Sequence, residues 1–118
     1  MVRVATDEIA YVQADGNYSD LVLINGKRRK LTFQLHHFDD WFKLLHRNPF
    51  VRVGRSLIVN KDYIHVINLT DQELLFTGKG MDKDLRLVDS KGKPLRVARE
   101  KLKELMELLG KEKGYDNE

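Results

Sequence analysis

Two arginines flank the one glycine of an otherwise apolar run, "FVRVGRSLIVN" at residues 50–60. A guanidinium is a planar fork that can grip a phosphate or a guanine edge through two hydrogen bonds, whereas a lysine acts more as a point charge. Successive residues of a strand face opposite sides, and Gly54 beside Arg55 signals a bend or a loop where backbone comes close to something. Arg55 held outward at a fixed place is one reading of this stretch. A surface arginine paired with a nearby carboxylate is the other. Charge distribution bears on the choice. Residues 27–30 carry +4, residues 52–61 carry +3 and residues 91–103 carry +5, so the rest of a chain with net charge +3 carries −9. Basic segments on an acidic body are what an anion-binding face produces, although solvated strands and turns carry lysine and arginine too.

Other side chains capable of chemistry are poorly placed for it. Four histidines are present, and the adjacent His36 and His37 project differently from one element, which does not make a metal face. Asp39 and Asp40 would point about 100° apart on a helix and serve more simply as helix-start acids. Ser56 has no general base at a defensible spacing, and "GKG" at 78–80 is too short for a phosphate-cradling loop. With no cysteine there is no disulfide framework, thiolate nucleophile or cysteine-based zinc site. No enzyme, metal or cofactor is expected. The 118 residues suit one core, no apolar run approaches the ~20 residues that span a bilayer, and the first residues lack a signal-peptide pattern, so the cytoplasm is expected.

The elements that must position these groups are mostly strands. "EIAYVQAD" (8–15) and "YSDLVLI" (18–24) alternate around the turn residues Asp15, Gly16 and Asn17. Asn25-Gly26 signals a type I′ hairpin into "KRRKLTFQL". The period then changes. Phe38, Trp41, Phe42 and Leu45 predict a helix near 38–46, stopped at Asn48 and Pro49. Strands follow at 63–69, 73–77, 85–89 and 94–98, with a tight turn at 90–93. A last helix is predicted near 99–109, its apolar face formed by Leu102, Leu105, Met106 and Leu109 and its end marked by Gly110. A domain of residues 1–110 with a frayed tail at 111–118 is the expected organisation.

Four stretches in this order resemble the LytTR family of bacterial DNA-binding domains: "IAYVQADGNYSDLVL" (9–23), "LTFQLHHFDDWFKLL" (31–45), "FVRVGRSLIVNKDYIHVI" (50–67) and "LRVAREKLKELMELL" (95–109). The third is similar to the family's Phe-x-Arg-x-His-(Arg/Lys)-Ser-x-(Ile/Val)-Val-Asn signature, with Gly54 in the histidine's place. Ala98 stands where a serine commonly precedes the helix arginine. The resemblance implies a mostly β, elongated fold of small antiparallel sheets with short helices beside them, whose loops enter the DNA.

Carried over by position, the resemblance implies DNA contacts at Asn17, Tyr18 and Ser19, at Arg55, and at Arg99. Lys27 to Lys30, Arg52, Lys91, Lys93, Lys101 and Lys103 are expected on phosphates. It further implies sequence-specific binding of double-stranded DNA, direct repeats, two copies on one site, and transcription control as the output of a two-component response regulator, joined to a receiver or sensor domain absent from this chain. Two other classes stay open. A single-stranded nucleic-acid binder would stack bases on aromatics such as Tyr18, and a protein-interaction module would show little salt dependence toward DNA.

Overall fold

Turn chemistry sets the order of the first strands. In the computed structural model, which describes residues 5–78, 80 and 82–113, β1 (Ile9–Asp15) and β2 (Tyr18–Leu23) form the expected hairpin. Gly16 sits in its two-residue turn at φ +61°, a left-handed conformation that glycine adopts without steric cost. β3 (Arg28–Leu31) pairs with β2, but the connecting turn is not type I′, because Gly26 alone is left-handed there. Asn25 instead turns its side-chain oxygen to the Lys27 amide at 2.9 Å, a local bond that lets it keep an ordinary φ.

The run 50–60 is a hairpin rather than one bent strand. β4 (Phe50–Val53) and β5 (Leu57–Asn60) are joined by residues 54–56, with Gly54 at φ +72°. β5 also pairs with β1, giving a five-stranded antiparallel sheet in the order β3-β2-β1-β5-β4. A second antiparallel sheet contains β6 (Ile64–Asn68), β7 (Glu73–Phe76) and the short β8 (Leu85–Arg86) in that order. The helices are α1 (Leu35–Lys43) and α2 (Arg99–Lys113).

The larger sheet is covered on both faces, which explains the unbroken apolar runs "LVL" and "LIV" in its central strands. Val12, Leu21, Leu23 and Ile58 pack with Leu35, Phe38 and Phe42 of α1. Tyr11, Val22, Leu57 and Val59 face the other way, into a core shared with Leu74 and Phe76 of β7 and Leu102 and Leu105 of α2. Both cores are built on aromatic pairs. Phe42 stacks on Phe50 at 3.8 Å between centroids, and Tyr11 on Phe76 at 5.5 Å. The domain measures 46 × 33 × 30 Å along its principal axes.

Several boundaries differ from the sequence reading. α1 begins at Leu35, before Phe38, and ends at Lys43, so His36 and His37 lie within it and its first turn holds no acid. Leu35 fills the core, and that burial sets the start where no side-chain cap does. Residues 94–98 are not a strand. Pro94 makes one isolated bridge to Val88, and the backbone then leaves the sheet edge, with Leu95 N–H on Leu87 O at 3.0 Å and Val97 N–H on Gln72 O at 3.0 Å. α2 runs through Gly110, which is buried inside it, to Lys113. Of the expected tail at 111–118, residues 111–113 continue α2 and residues 114–118, like residues 79 and 81 of the loop 77–84, lie outside the described residues.

Candidate nucleic-acid interface

Antiparallel pairing places the turns that carry the predicted contacts at one end of the larger sheet. Asp15 opposes Tyr18 and Gln13 opposes Leu57, so the turns at residues 16–17 and 54–56 emerge together. A bond from Ala14 N–H to Ser56 O at 2.8 Å ties them. The turn at 89–93 joins the same end through Ser90 Oγ, which donates to Asp15 Oδ2 at 3.3 Å. Its own shape comes from the Asp89 carboxylate, which accepts the amides of Lys91 at 2.8 Å and Lys93 at 2.9 Å. Gly54 and Arg55 then share a groove of about 180 Å³ with Arg96, Ala98 and Lys101 at the entry to α2. Arg96 is a cation of this groove that the motif comparison did not single out; its nearness depends on the extended path of residues 95–98.

Arg55 is exposed, and its side chain makes no hydrogen bond or ion pair among the described residues. Arg52 is different. Its Nε donates to Gly54 O at 3.1 Å, its Nη2 to Arg55 O at 2.8 Å, and its Nη1 lies 3.6 Å from Asp39 on α1. The guanidinium therefore braces the turn that carries Arg55 instead of pointing away as a free phosphate contact. Arg52→Ala should weaken DNA binding a few-fold by loosening the turn, at ~0.5–1.5 kcal/mol per hydrogen bond lost, while leaving the dependence of affinity on salt unchanged. A salt titration beside the unaltered domain checks this; a slope reduced by about one would make Arg52 a phosphate contact after all.

The other predicted residues divide in the same way. Asn17 is exposed in its turn, and Tyr18 is 46% exposed, with Lys30 Nζ 6.0 Å from its ring centroid. Ser19 is fully buried and donates to Phe33 O at 2.6 Å, so it anchors the strand beneath the turn and presents nothing to a ligand. Within residues 27–30, Arg28 is drawn to buried Asp20 at 3.3 Å and Lys30 to Asp15 at 2.6 Å. Those two are consumed by internal acids, which a count of charge along the sequence cannot reveal. Lys93 and Lys103 are exposed, and Lys101 lies 3.5 Å from Glu104.

Arg99 opens α2 and rests on the β6–β7 turn, with Nε donating to Leu69 O at 3.1 Å and Nη2 approaching Thr70 O at 3.4 Å. Arginine has five N–H donors, so part of the fork stays available. Gln72, left-handed at φ 56°, holds the same junction by donating from Nε2 to Val97 O at 3.2 Å. The turn 69–72 thus supports the start of α2, a role for which the sequence offered no signal. Arg99 and Lys103 lie one helical turn apart on one side, and Lys101 projects from another.

The acids at this end respond to their partners. The Lys30 hydrogen bond holds the Asp15 carboxyl below its usual 3.8, and Asp15 in turn raises Lys30. The Lys93 amide, opposed by partial desolvation and aided by the Lys91 amide, lowers Asp89. A depressed folded-state pKa gives stabilisation that is complete above the unfolded value and lost as pH falls through the folded one. In a carboxyl-carbon NMR titration both residues should therefore titrate below 3.8, and the 89–93 turn should loosen only under acid conditions. Asp89→Asn should remove that acid transition in the turn's amide shifts.

The β scaffold presents arginine and lysine on turns clustered at one end of the larger sheet and at the entry to α2. The comparisons give its family: the model of the LytTr DNA-binding domain matches residues 1–110, and the chain belongs to the LytTR family. That family is defined by DNA binding and not by catalysis. A solved structure described as the LytTr DNA-binding domain of a methyl-accepting/DNA response regulator from Bacillus cereus has a similar fold, with TM-score 0.61 and 23% identity over 92% of this chain and 87% of that one. No curated protein matches the chain. Among the described residues, no helix is long and apolar enough to cross a membrane.

Proposed function

We propose that this domain recognises particular sequences of double-stranded DNA and thereby regulates transcription, as the output part of a two-component response regulator. The observation that carries the reading is Arg55, an exposed guanidinium with no partner among the described residues, on a turn braced by Arg52, at the same end as Asn17 and Tyr18. A rigidly mounted arginine suits a guanine edge, since its two donors must meet two acceptors at fixed positions. Arg99 is the second reader, at the entry to α2. Arg96, Lys93, Lys101 and Lys103 supply phosphate contacts around them. Residues 1–110 form the working unit, joined to a receiver or sensor domain and acting in the cytoplasm, with two copies on direct repeats.

The test is selection of bound duplexes from a random library, followed by salt titration on the enriched site. Enrichment of a repeated motif, with affinity falling steeply as salt rises, is the expected result. Binding of single strands as tight as that of the best duplex would instead support stacking on Tyr18 as the main mode. Retention of no sequence above the input would defeat the proposal.

A further inference from the structure

We propose that the groove between α1 and the β3 edge of the larger sheet binds an apolar monocarboxylate: a small molecule with an aliphatic or aromatic body and one anionic end. The groove encloses about 390 Å³, within the size range of small-molecule sites. Leu31, Phe33, Phe38 and Trp41 are among its walls, and Thr6 and Arg29 are its polar members. Phe33 is 44% and Trp41 45% exposed, and the two rings meet edge to face at 5.2 Å. Rings of this size left half in water form a preformed apolar surface whose covering is favourable.

Arg29 supplies the preference for an anion. It opposes Leu21, whose side chain belongs to the α1-side core, so Arg29 projects to the same face as the groove. Its neighbours Arg28 and Lys30 project to the other face and are neutralised by Asp20 and Asp15. Arg29 itself is exposed and makes no hydrogen bond or ion pair among the described residues, and no carboxylate lines the groove. A guanidinium that is the one charged group among the described lining residues of a hydrocarbon trough matches a carboxylate in its two-donor geometry and an apolar body in its walls. A single cation is poor provision for a phosphodiester chain. A cationic amphiphile would meet Arg29 as a like charge. The site lies on the α1 face of the sheet and runs from Ile9 along β3 to Leu31, which opposes Ser19, whereas the proposed DNA-reading turns project beyond Asp15 at the sheet's end.

Trp41 is the only tryptophan of the chain, so its emission reports on the groove. Decanoate and 2-naphthoate, titrated below their aggregation concentrations without DNA, are expected to change Trp41 emission saturably. Decanol should bind about fivefold more weakly than decanoate, the scale of one exposed ion pair, and decyltrimethylammonium more weakly still. Arg29→Gln should bring decanoate down to the level of decanol without altering Tm. Amide NMR shifts should localise the change to α1 and β3. Absence of saturable binding by both carboxylates, equal binding of decanoate and decanol, or an unchanged decanoate affinity in Arg29→Gln would each overturn the assignment. Because the titration uses no DNA, its failure leaves the DNA-reading proposal standing.

Discussion

Replacing Arg55 by alanine is expected to weaken binding to the best duplex site by ~1–3 kcal/mol, on the order of fivefold to more than a hundredfold, while changing affinity for unrelated duplex far less. The asymmetry follows from the geometry. Arg55 has no side-chain partner within the described residues, so its removal leaves no orphaned group and the unfolding free energy should stay within about 0.5 kcal/mol of the original, as for other surface changes. Lysine at this position should restore part of the nonspecific attraction but not the preference for the best site, because an ammonium cannot form the two-donor fork. Arg99→Ala should show a similar loss of ~1–3 kcal/mol on the best site, accompanied by a small fall in Tm since the Leu69 and Thr70 carbonyls lose their donor. Quantitative gel shifts on the enriched site and on a scrambled duplex separate these outcomes. An Arg55→Ala domain that binds its best site as tightly as the original would remove Arg55 from the reading role.

The second large effect concerns Tyr11, whose ring is fully buried and whose hydroxyl joins three parts of the chain. It donates to Val88 O at 3.0 Å and accepts from Val88 N–H at 3.1 Å and Arg28 Nη1 at 3.1 Å. One donor and two acceptor sites are all a hydroxyl has, and all are filled. Tyr11→Phe keeps the stack on Phe76 but leaves the Val88 amide and a partly buried guanidinium short of partners, a loss expected to cost ~1–3 kcal/mol in urea unfolding. Since Val88 leads into the 89–93 turn and then the strap to α2, amide exchange should rise there before it rises in β1 or β5. Unchanged stability would mean that water replaces the hydroxyl without cost.

Some of this architecture is determined by short-range chemistry and is therefore legible along the chain. Gly16 and Gly26 each need a left-handed backbone, and the turns they permit fix the β1-β2-β3 meander. Leu102 and Leu105 at helical spacing find the face α2 buries. The motif from Phe50 to Asn60 could be recognised because most of it is structural: Phe50 stacks on Phe42, and Asn60 donates to Ile9 O at 2.9 Å while accepting the Asp62 amide at 3.0 Å.

Tertiary structure decided which charges are free. Arg28, Arg29, Arg52 and Arg55 look alike as letters, yet one pairs with buried Asp20, one projects to an apolar groove, one braces a turn and one stands clear. No spacing rule separates them, because each outcome depends on a partner brought from elsewhere: Asp39 from α1 beside Arg52, Asp20 from β2 beside Arg28. The sequence by itself determined most of the strands, the places of the Gly16 and Gly26 turns and the family resemblance, since those rest on backbone preference and burial within a few residues. Only the folded arrangement determined the candidate site, since a side chain's availability is set by long-range electrostatics and packing.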